Sequence, residues 1–370
     1  MNKRVLFVPC GVGLGHATRI HAIMKEVEKS SQTKVATYER AYEYFQKERY
    51  APTKMMGFNY DTSDSTFTLF ENIVKNMDYP FALLRDTFTI SSMLSEFKPD
   101  VVVSDSEPNA FFASTLFDTK KVMVMNLLSV LEERKYLPRS IIENTRNQIY
   151  VIEKLVNYAL KRMDMVIFPS LIKYKNISSK VKIVDLIVRQ KPNELPNESV
   201  LRDKLNQHSD FYLVNLGGSA FGKEFFTKIV KVLKKFEDKK FIISSNYSVL
   251  KPVEKDYILI VPFLDNFLEY LKICKGAISL AGHSSISEFM VYKKPSLIIP
   301  ITNHIEQISN ANMLRRYGLA ETLFEIEDEE RLRNKLKKFF DSEEEIKKKI
   351  ESLNIKGKGA EEAAEFILNV

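Results

Sequence analysis

"GAISLAGHSSISEFMVYKKPSLIIPITNHIEQISNANMLRRYGLA", Gly276 to Ala320, passes twice from an apolar run through a polar turn into an amphipathic segment. The runs "GAISLAG" and "PSLIIPI" are short and almost continuously apolar, which predicts parallel strands buried on both faces, each followed by a helix. His283, Ser284 and Ser285 open the first helix just beyond the carboxyl end of its strand, where ligands bind in open α/β sheets. The free N–H groups of a helix start attract anions and the serine hydroxyls add donors, so a diphosphate fits there without a metal.

Glu288 follows one turn later, where a carboxylate could accept both hydroxyls of a ribose. Ser285 to Glu288 also reads S-x-x-E, a capping box. "NHIEQ" carries the same ambiguity, with Asn303 as a cap and Glu306 completing its box. Two polar helix starts at successive strand ends exceed what two caps require, and ligand binding is the better reading.

The pattern extends outward in both directions. "RVLFVP", "KVAT", "PDVVVSD", "KVMVMN" and "MVIFPS" precede it, and "FYLVNLGG", "KFIISS" and "YILIVPF" lead up to it, with helical segments between. The fold class is therefore α/β, twice. The chain of 370 residues exceeds the roughly 250–300 residues at which single cores stop growing. "VRQKPNELPNESV", without periodicity, reads as the linker. The expected domains are residues 1–188 and 189–355, with 356–370 a separate amphipathic helix that begins with Gly357 and Gly359 and packs away from the second domain.

Composition narrows the function classes. With 45% hydrophobic and 28% charged residues the chain is an ordinary globular one. No apolar run approaches the roughly 20 residues of a membrane span and no signal-peptide pattern opens the chain, so a cytoplasmic protein is expected. Two cysteines, Cys10 and Cys274, argue against a disulfide framework or a cysteine metal site. The net charge of +7 is spread over helical faces that alternate Lys with Glu. No base-stacking or recognition-helix signature accompanies it, and no nucleic-acid partner is expected.

"VLFVPCGVGLGHATR", Val5 to Arg19, gives a second glycine turn. Gly11, Gly13 and Gly15 precede a helix expected to start near Thr18. The GxGxG spacing departs from the GxGxxG dinucleotide fingerprint. His16 stands at a strand's carboxyl edge, placed either to take a proton from a hydroxyl or to bond the turn, and His21 reads as structural. "SDSEP" supplies rival carboxylates, Asp105 and Glu107, that could serve His16 or an acceptor directly, or cap a helix. "VNLGGSAFGKEF" repeats the polar strand end with Gly217, Gly218 and Ser219. Tyr60 to Phe97 is rich in aromatics, read as a helical insertion feeding the core or as an apolar acceptor groove or membrane-facing patch.

The segment Gly282 to Gly318 resembles the donor-binding signature of family 28 glycosyltransferases, relatives of the enzyme that adds N-acetylglucosamine to the peptidoglycan lipid intermediate. "GHSSISE", "KKPSLIIPI", "HIEQISNA" and "YGLA" match in order and spacing, and "GVGLGHATR" and "GGS" resemble two further motifs. Ala281 departs from the pattern, standing where many relatives carry glycine. The resemblance implies a GT-B fold, two Rossmann-like domains facing across a cleft with a final helix crossing back to the first. It implies that Glu288 binds ribose, Ser284 and Ser285 the diphosphate, Glu306 with Gln307 the sugar hydroxyls, and Ser219 the nucleotide. Gly282, His283 and His304 belong to the same donor motifs.

The expected activity is inverting, metal-independent transfer from a nucleotide sugar, a UDP-sugar at family level, to an acceptor hydroxyl. His16, Asp105 or Glu107 would be the base. A basic surface with an aromatic insertion favours a lipid-linked acceptor and peripheral membrane contact. The competing readings are a nucleotide-sugar 2-epimerase, an NAD-dependent enzyme and a silent nucleotide-binding protein.

Overall fold

The computed structural model describes residues 2–57, 79–107, 109–175, 177–216, 220–244, 254–255, 257–261, 264, 266–325 and 328–370. Gly217, Gly218 and Ser219 lie outside them, as does the first half of the aromatic insertion.

The first domain contributes strands β1 (Arg4–Pro9), β2 (Gln32–Thr37), β3 (Thr53–Lys54), β4 (Val101–Asp105), β5 (Lys120–Val124), β6 (Met165–Pro169) and β7 (Val181–Val184). Its helices are α1 (Leu14–Glu28), α2 (Glu39–Lys47), α3 (Tyr79–Phe97), α4 (Asn109–Ser114), α5 (Leu128–Glu133), α6 (Arg139–Asn144) and α7 (Arg146–Arg162). The second domain holds β8 (Tyr212–Asn215), β9 (Phe241–Ser244), β10 (Glu254–Lys255), β11 (Ile258–Val261), β12 (Gly276–Leu280), β13 (Ser296–Ile299) and β14 (Glu321–Thr322). With them run α8 (Glu198–Lys204), α9 (Ala220–Leu233), α10 (Phe267–Ile273), α11 (His283–Val291), α12 (Ile305–Tyr317) and α13 (Glu329–Ser352), and α14 (Gly359–Asn369) ends the chain.

The first sheet runs β3-β2-β1-β4-β5-β6-β7, all parallel, and the second β10-β11-β9-β8-β12-β13-β14, parallel except for the β10 edge. Full burial of β4 and β12 explains their continuous apolar runs. In both sheets the strand order reverses beside the first strand, between β1 and β4 and between β8 and β12, which opens a ligand crevice at the carboxyl ends. Two Rossmann-like sheets of this order make a GT-B architecture.

Helix α1 starts at Leu14, four residues before the expected Thr18. Gly13 takes a left-handed φ of 73° at the N-cap and turns the chain at once, so His16 falls within the first helical turn. The helix α14 buries Ala360, Ala363, Ala364 and Ile367 in one cluster with Val5, Phe7 and Ala17 of the first domain. Gly359 admits it: a Cβ there would lie 1.9 Å from the Asp185 carbonyl oxygen. Gly359→Ala is expected to cost about 1–3 kcal/mol by forcing this backbone apart, measured as a shift of the urea midpoint at unchanged m-value.

The described half of the aromatic insertion is α3. Its Phe81, Leu84 and Phe88 are 63%, 71% and 76% exposed, so these side chains do not feed the core. They recur at helical spacing along one solvent-facing stripe.

Candidate active site

The strand register sets the site. β1 and β4 pair so that Pro9 lies opposite Asp105, bringing the ends of both strands together at the crevice. His16, one short turn beyond β1, places its Nδ1 2.8 Å from Asp105 Oδ1. Asp105 is fully buried and the His16 side chain is 29% exposed, so the carboxylate lies behind the ring and the imidazole reaches the cleft.

Arg19, one turn further along α1, donates from Nε to Asp105 Oδ2 and from Nη2 to Oδ1, both at 2.7 Å. Burial by itself would raise the Asp105 carboxyl, but the Arg19 guanidinium and His16 overturn this and hold it well below the usual carboxylate range. An ionised Asp105 only accepts hydrogen bonds, so His16 presents Nδ1–H to it and keeps Nε2 as the basic nitrogen.

Glu107 is not part of this pair. Ser106 takes a φ of 60°, which ends the strand and sends Glu107 elsewhere. There it is buried, accepting from Tyr38 Oη at 3.1 Å and from the Asn109 N–H at 3.4 Å. Tyr38 in turn contacts Cys10 Sγ at 3.3 Å. Burial pushes Glu107 up to about 7 and the Cys10 thiol up to about 12. The Tyr38 ring is wedged against Gly11 and Gly57, where an added Cβ would fall 2.4 Å and 1.9 Å from it. The first glycine of the turn therefore makes room for an aromatic ring. The third meets the other domain: a Cβ on Gly15 would stand 3.0 Å from Ser284 Oγ.

The second domain closes over the same crevice. Ser284 Oγ donates to the Gly15 carbonyl at 3.3 Å, and His283 Nε2 donates to the Pro169 carbonyl at 3.2 Å. Burial lowers His283 to about 4, which keeps it neutral. Gly282 is the N-cap of α11 without a side-chain cap bond, so the S-x-x-E pattern forms no capping box. Ser284 and Ser285 are half-buried in the first turn, whose N–H groups have no acceptor within the helix.

Glu288, expected at a ribose, is buried and paired with linker Arg189 at 2.6 Å and 3.0 Å. This bidentate pairing leaves lone pairs on both carboxylate oxygens. On the neighbouring helix the N-cap is His304, not Asn303: its Nδ1 accepts from the Gln307 N–H at 3.5 Å. Gln307 Oε1 accepts from the Ile301 N–H at 3.1 Å, closing the turn before its own helix. Glu306 completes no capping box either; its Oε1 accepts from Asn126 Nδ2 of the first domain at 2.8 Å. Burial would raise Glu306, but His304, the Asn126 amide, His16 and His283 hold it below the usual range.

The structure thus brings His16, Asp105, His283, Ser284 and Glu306 to one cleft, turns Glu107 toward Tyr38, and bonds Gln307 Oε1 to the turn before its helix. Arg19, Asn126 and Arg189 were not assigned from sequence. Arg19 stands three residues after His16 on one helix face, and Asn126 is a polar residue just past the end of an apolar strand. Both are signals available in the chain. Among the described residues no trio of His, Cys, Asp and Glu side chains converges on a metal position.

A histidine–carboxylate pair at the crevice of one Rossmann-like sheet thus faces a helix start on the other. The family model for glycosyl transferase family 1 matches residues 3–340. The chain belongs to that family.

This glycosyltransferase is 24% identical to an uncharacterised glycosyltransferase of Methanosarcina acetivorans over 370 aligned positions, covering 91% of this chain and 93% of the relative. A second such protein, from Methanopyrus kandleri, is 25% identical over 274 positions, 70% of this chain and 73% of the relative. The UDP-N-acetylglucosamine–N-acetylmuramyl-(pentapeptide) pyrophosphoryl-undecaprenol N-acetylglucosamine transferase of Thermosipho africanus is 30% identical over 129 positions, 34% of this chain and 38% of that enzyme. Among solved structures, the kitacinnamycin glycotransferase superposes with TM-score 0.69 at 13% identity, covering 100% of this chain and 99% of that one. Acinetobacter baumannii MurG gives 0.64 at 14%, covering both chains completely. These likenesses establish the GT-B fold.

Proposed function

We propose that this glycosyltransferase moves a sugar from a UDP-sugar to an acceptor hydroxyl with inversion and without a metal. The observation that carries the reading is the His16–Asp105 pair set against the N-terminus of α11. His16 Nε2 takes the acceptor proton as the hydroxyl attacks the anomeric carbon. The bond to the nucleotide diphosphate breaks through an oxocarbenium-like state, and attack from the opposite face inverts the centre. The first-turn N–H groups and serine hydroxyls of α11 stabilise the departing diphosphate. Glu288 accepts from the ribose hydroxyls through its remaining lone pairs, and Glu306 from the sugar. The family 28 resemblance of Gly282 to Gly318, together with the Thermosipho relative, supports uridine as the base.

The acceptor we propose is lipid-linked. The exposed stripe of α3 is joined by Phe112 of α4 and Leu116 of the turn after it, 47% and 85% exposed, and Phe112 lies 6.2 Å from the Tyr158 ring of α7. An apolar face of this kind supports peripheral contact with a membrane surface. No helix among the described residues is long and apolar enough to cross a membrane.

Thermal unfolding against UDP, GDP, TDP, their sugars and NAD, with and without EDTA, tests the donor. A nucleotide at about 100 times its Kd adds about 2.7 kcal/mol to stability. Stabilisation by UDP that persists in EDTA is the expected result. Stabilisation by NAD alone overturns the transferase reading, and loss of the UDP effect in EDTA overturns metal independence.

A further inference from the structure

We propose that Arg19 is a positioning residue for the base, the group that fixes which nitrogen of His16 carries the proton. The inference rests on the proposed role of His16.

Arg19 is 5% exposed and engages both oxygens of Asp105, and its Nη2 also lies 3.4 Å from His16 Nδ1. A buried guanidinium that takes both carboxylate oxygens fixes the plane of the carboxylate. Oδ1 is thereby aimed at His16 Nδ1, and this 2.8 Å contact with an oxygen that only accepts outweighs the longer 3.4 Å approach of Nη2, a donor that by itself would favour a bare Nδ1. The ring is left with one neutral form, Nδ1–H toward Asp105 and a bare Nε2 toward the cleft. A free histidine divides between two tautomers, so this constraint removes the form that cannot take an acceptor proton.

The charge arithmetic is a second consequence. Asp105 and Arg19 cancel, so proton uptake by His16 takes the triad from neutral to a net positive charge. A lone histidine–aspartate pair would instead become neutral on protonation. The positive charge appears opposite α11, where the leaving diphosphate gains negative charge, and the two developing charges attract. The charged and titratable groups facing the triad are Glu306 on α12, His283 on α11, and Glu107 and Cys10 from the first domain.

The test is NMR on protein labelled with 15N-histidine and 13C-aspartate. The chain has five histidines, His16, His21, His208, His283 and His304, and the His16→Gln variant assigns the signal of interest. The wild type is expected to show a single Nδ1–H form of His16 and an Asp105 carboxylate that stays ionised down to about pH 4. In Arg19→Met the single-tautomer signature is lost, and a protonation step of Asp105 appears above that pH. Arg19→Lys keeps the charge without the fork, so Asp105 stays ionised but its Oδ1 is no longer held on Nδ1, and the tautomers mix.

An unchanged His21 signal shows that α1 still packs, because His21, on the same helix as Arg19, is hydrogen-bonded through Nδ1 to Tyr44 Oη of α2 at 2.8 Å. A folded Arg19→Met protein that keeps a single Nδ1–H form and an ionised Asp105 overturns the proposal. If that variant does not fold, a single Nδ1–H form in Arg19→Lys overturns it instead. Undiminished sugar transfer by His16→Ala would remove the base assignment and leave these signals as they are, so the two failures are distinguishable.

Discussion

Sugar transfer by the His16→Ala protein is expected to fall about 10²- to 10⁴-fold, the contribution of a well-placed general base. Nucleoside diphosphate binding should be unchanged, because the proposed diphosphate site is the N-terminus of α11 in the other domain. The rate is read as release of nucleoside diphosphate from the donor that stabilises the protein. Asp105→Asn should lose transfer comparably, since an amide no longer enforces the Nδ1–H form of the ring. It should also unfold more easily, by about 3–5 kcal/mol, because it leaves buried Arg19 without its counter-charge. His16→Ala carries no such penalty, and the two variants together separate chemistry from stability. Wild-type turnover in both would remove the pair from the reaction.

Glu107→Gln is expected to do the opposite, retaining transfer and raising stability at alkaline pH. Burial pushes the Glu107 carboxyl from 4.5 up to about 7 in the folded protein. Between those values the folded chain holds more protons than the unfolded one, so the Glu107 contribution to stability falls as pH rises through this window. Below pH 4.5 the acid is neutral in both states and contributes no difference. Above pH 7 the loss is complete, about 3 kcal/mol for a shift of this size. Glutamine keeps an acceptor for the Tyr38 hydroxyl and removes the buried charge. Urea unfolding at pH 5 and pH 8 should show a gain for the variant that is small at the first and largest at the second. An equal gain at both values would mean that titration of Glu107 is not its source. Loss of transfer on the scale of Asp105→Asn would make Glu107 a partner of the base after all.

These two carboxylates show where reading the chain stopped. Asp105 and Glu107 are two residues apart at the end of one apolar strand, and a continued strand would turn both to the same face. Sequence therefore offered them as equals. The left-handed Ser106 ends the strand between them, and the pairing of β4 with β1 gives His16 to Asp105 alone. Glu107 is left to Tyr38. A non-glycine residue with positive φ has no clear local signature, and the order of strands in a sheet is not written in any one of them.

The same division runs through the second domain. Apolar runs, glycine turns and polar helix starts are local patterns, because burial on both faces of a strand and free N–H groups at a helix start constrain neighbouring residues. They made the doubled α/β architecture and the donor motifs legible from Gly276 to Ala320. The partners of the polar side chains were not legible. Glu288 meets Arg189 across 99 positions, Glu306 meets Asn126 across 180, and Ser284 meets Gly15 across 269.

The sequence by itself determined two Rossmann-like domains, the polar strand ends that face a ligand, and the residue types available there. Tertiary structure alone decided which carboxylate orients the histidine, that Arg19 holds that carboxylate, and that Phe81 and Phe88 of α3 face solvent. The physical reason is that secondary structure answers to the periodicity of burial along the chain. A buried charge answers to whichever opposite charge the packing of distant strands and helices brings within hydrogen-bonding distance.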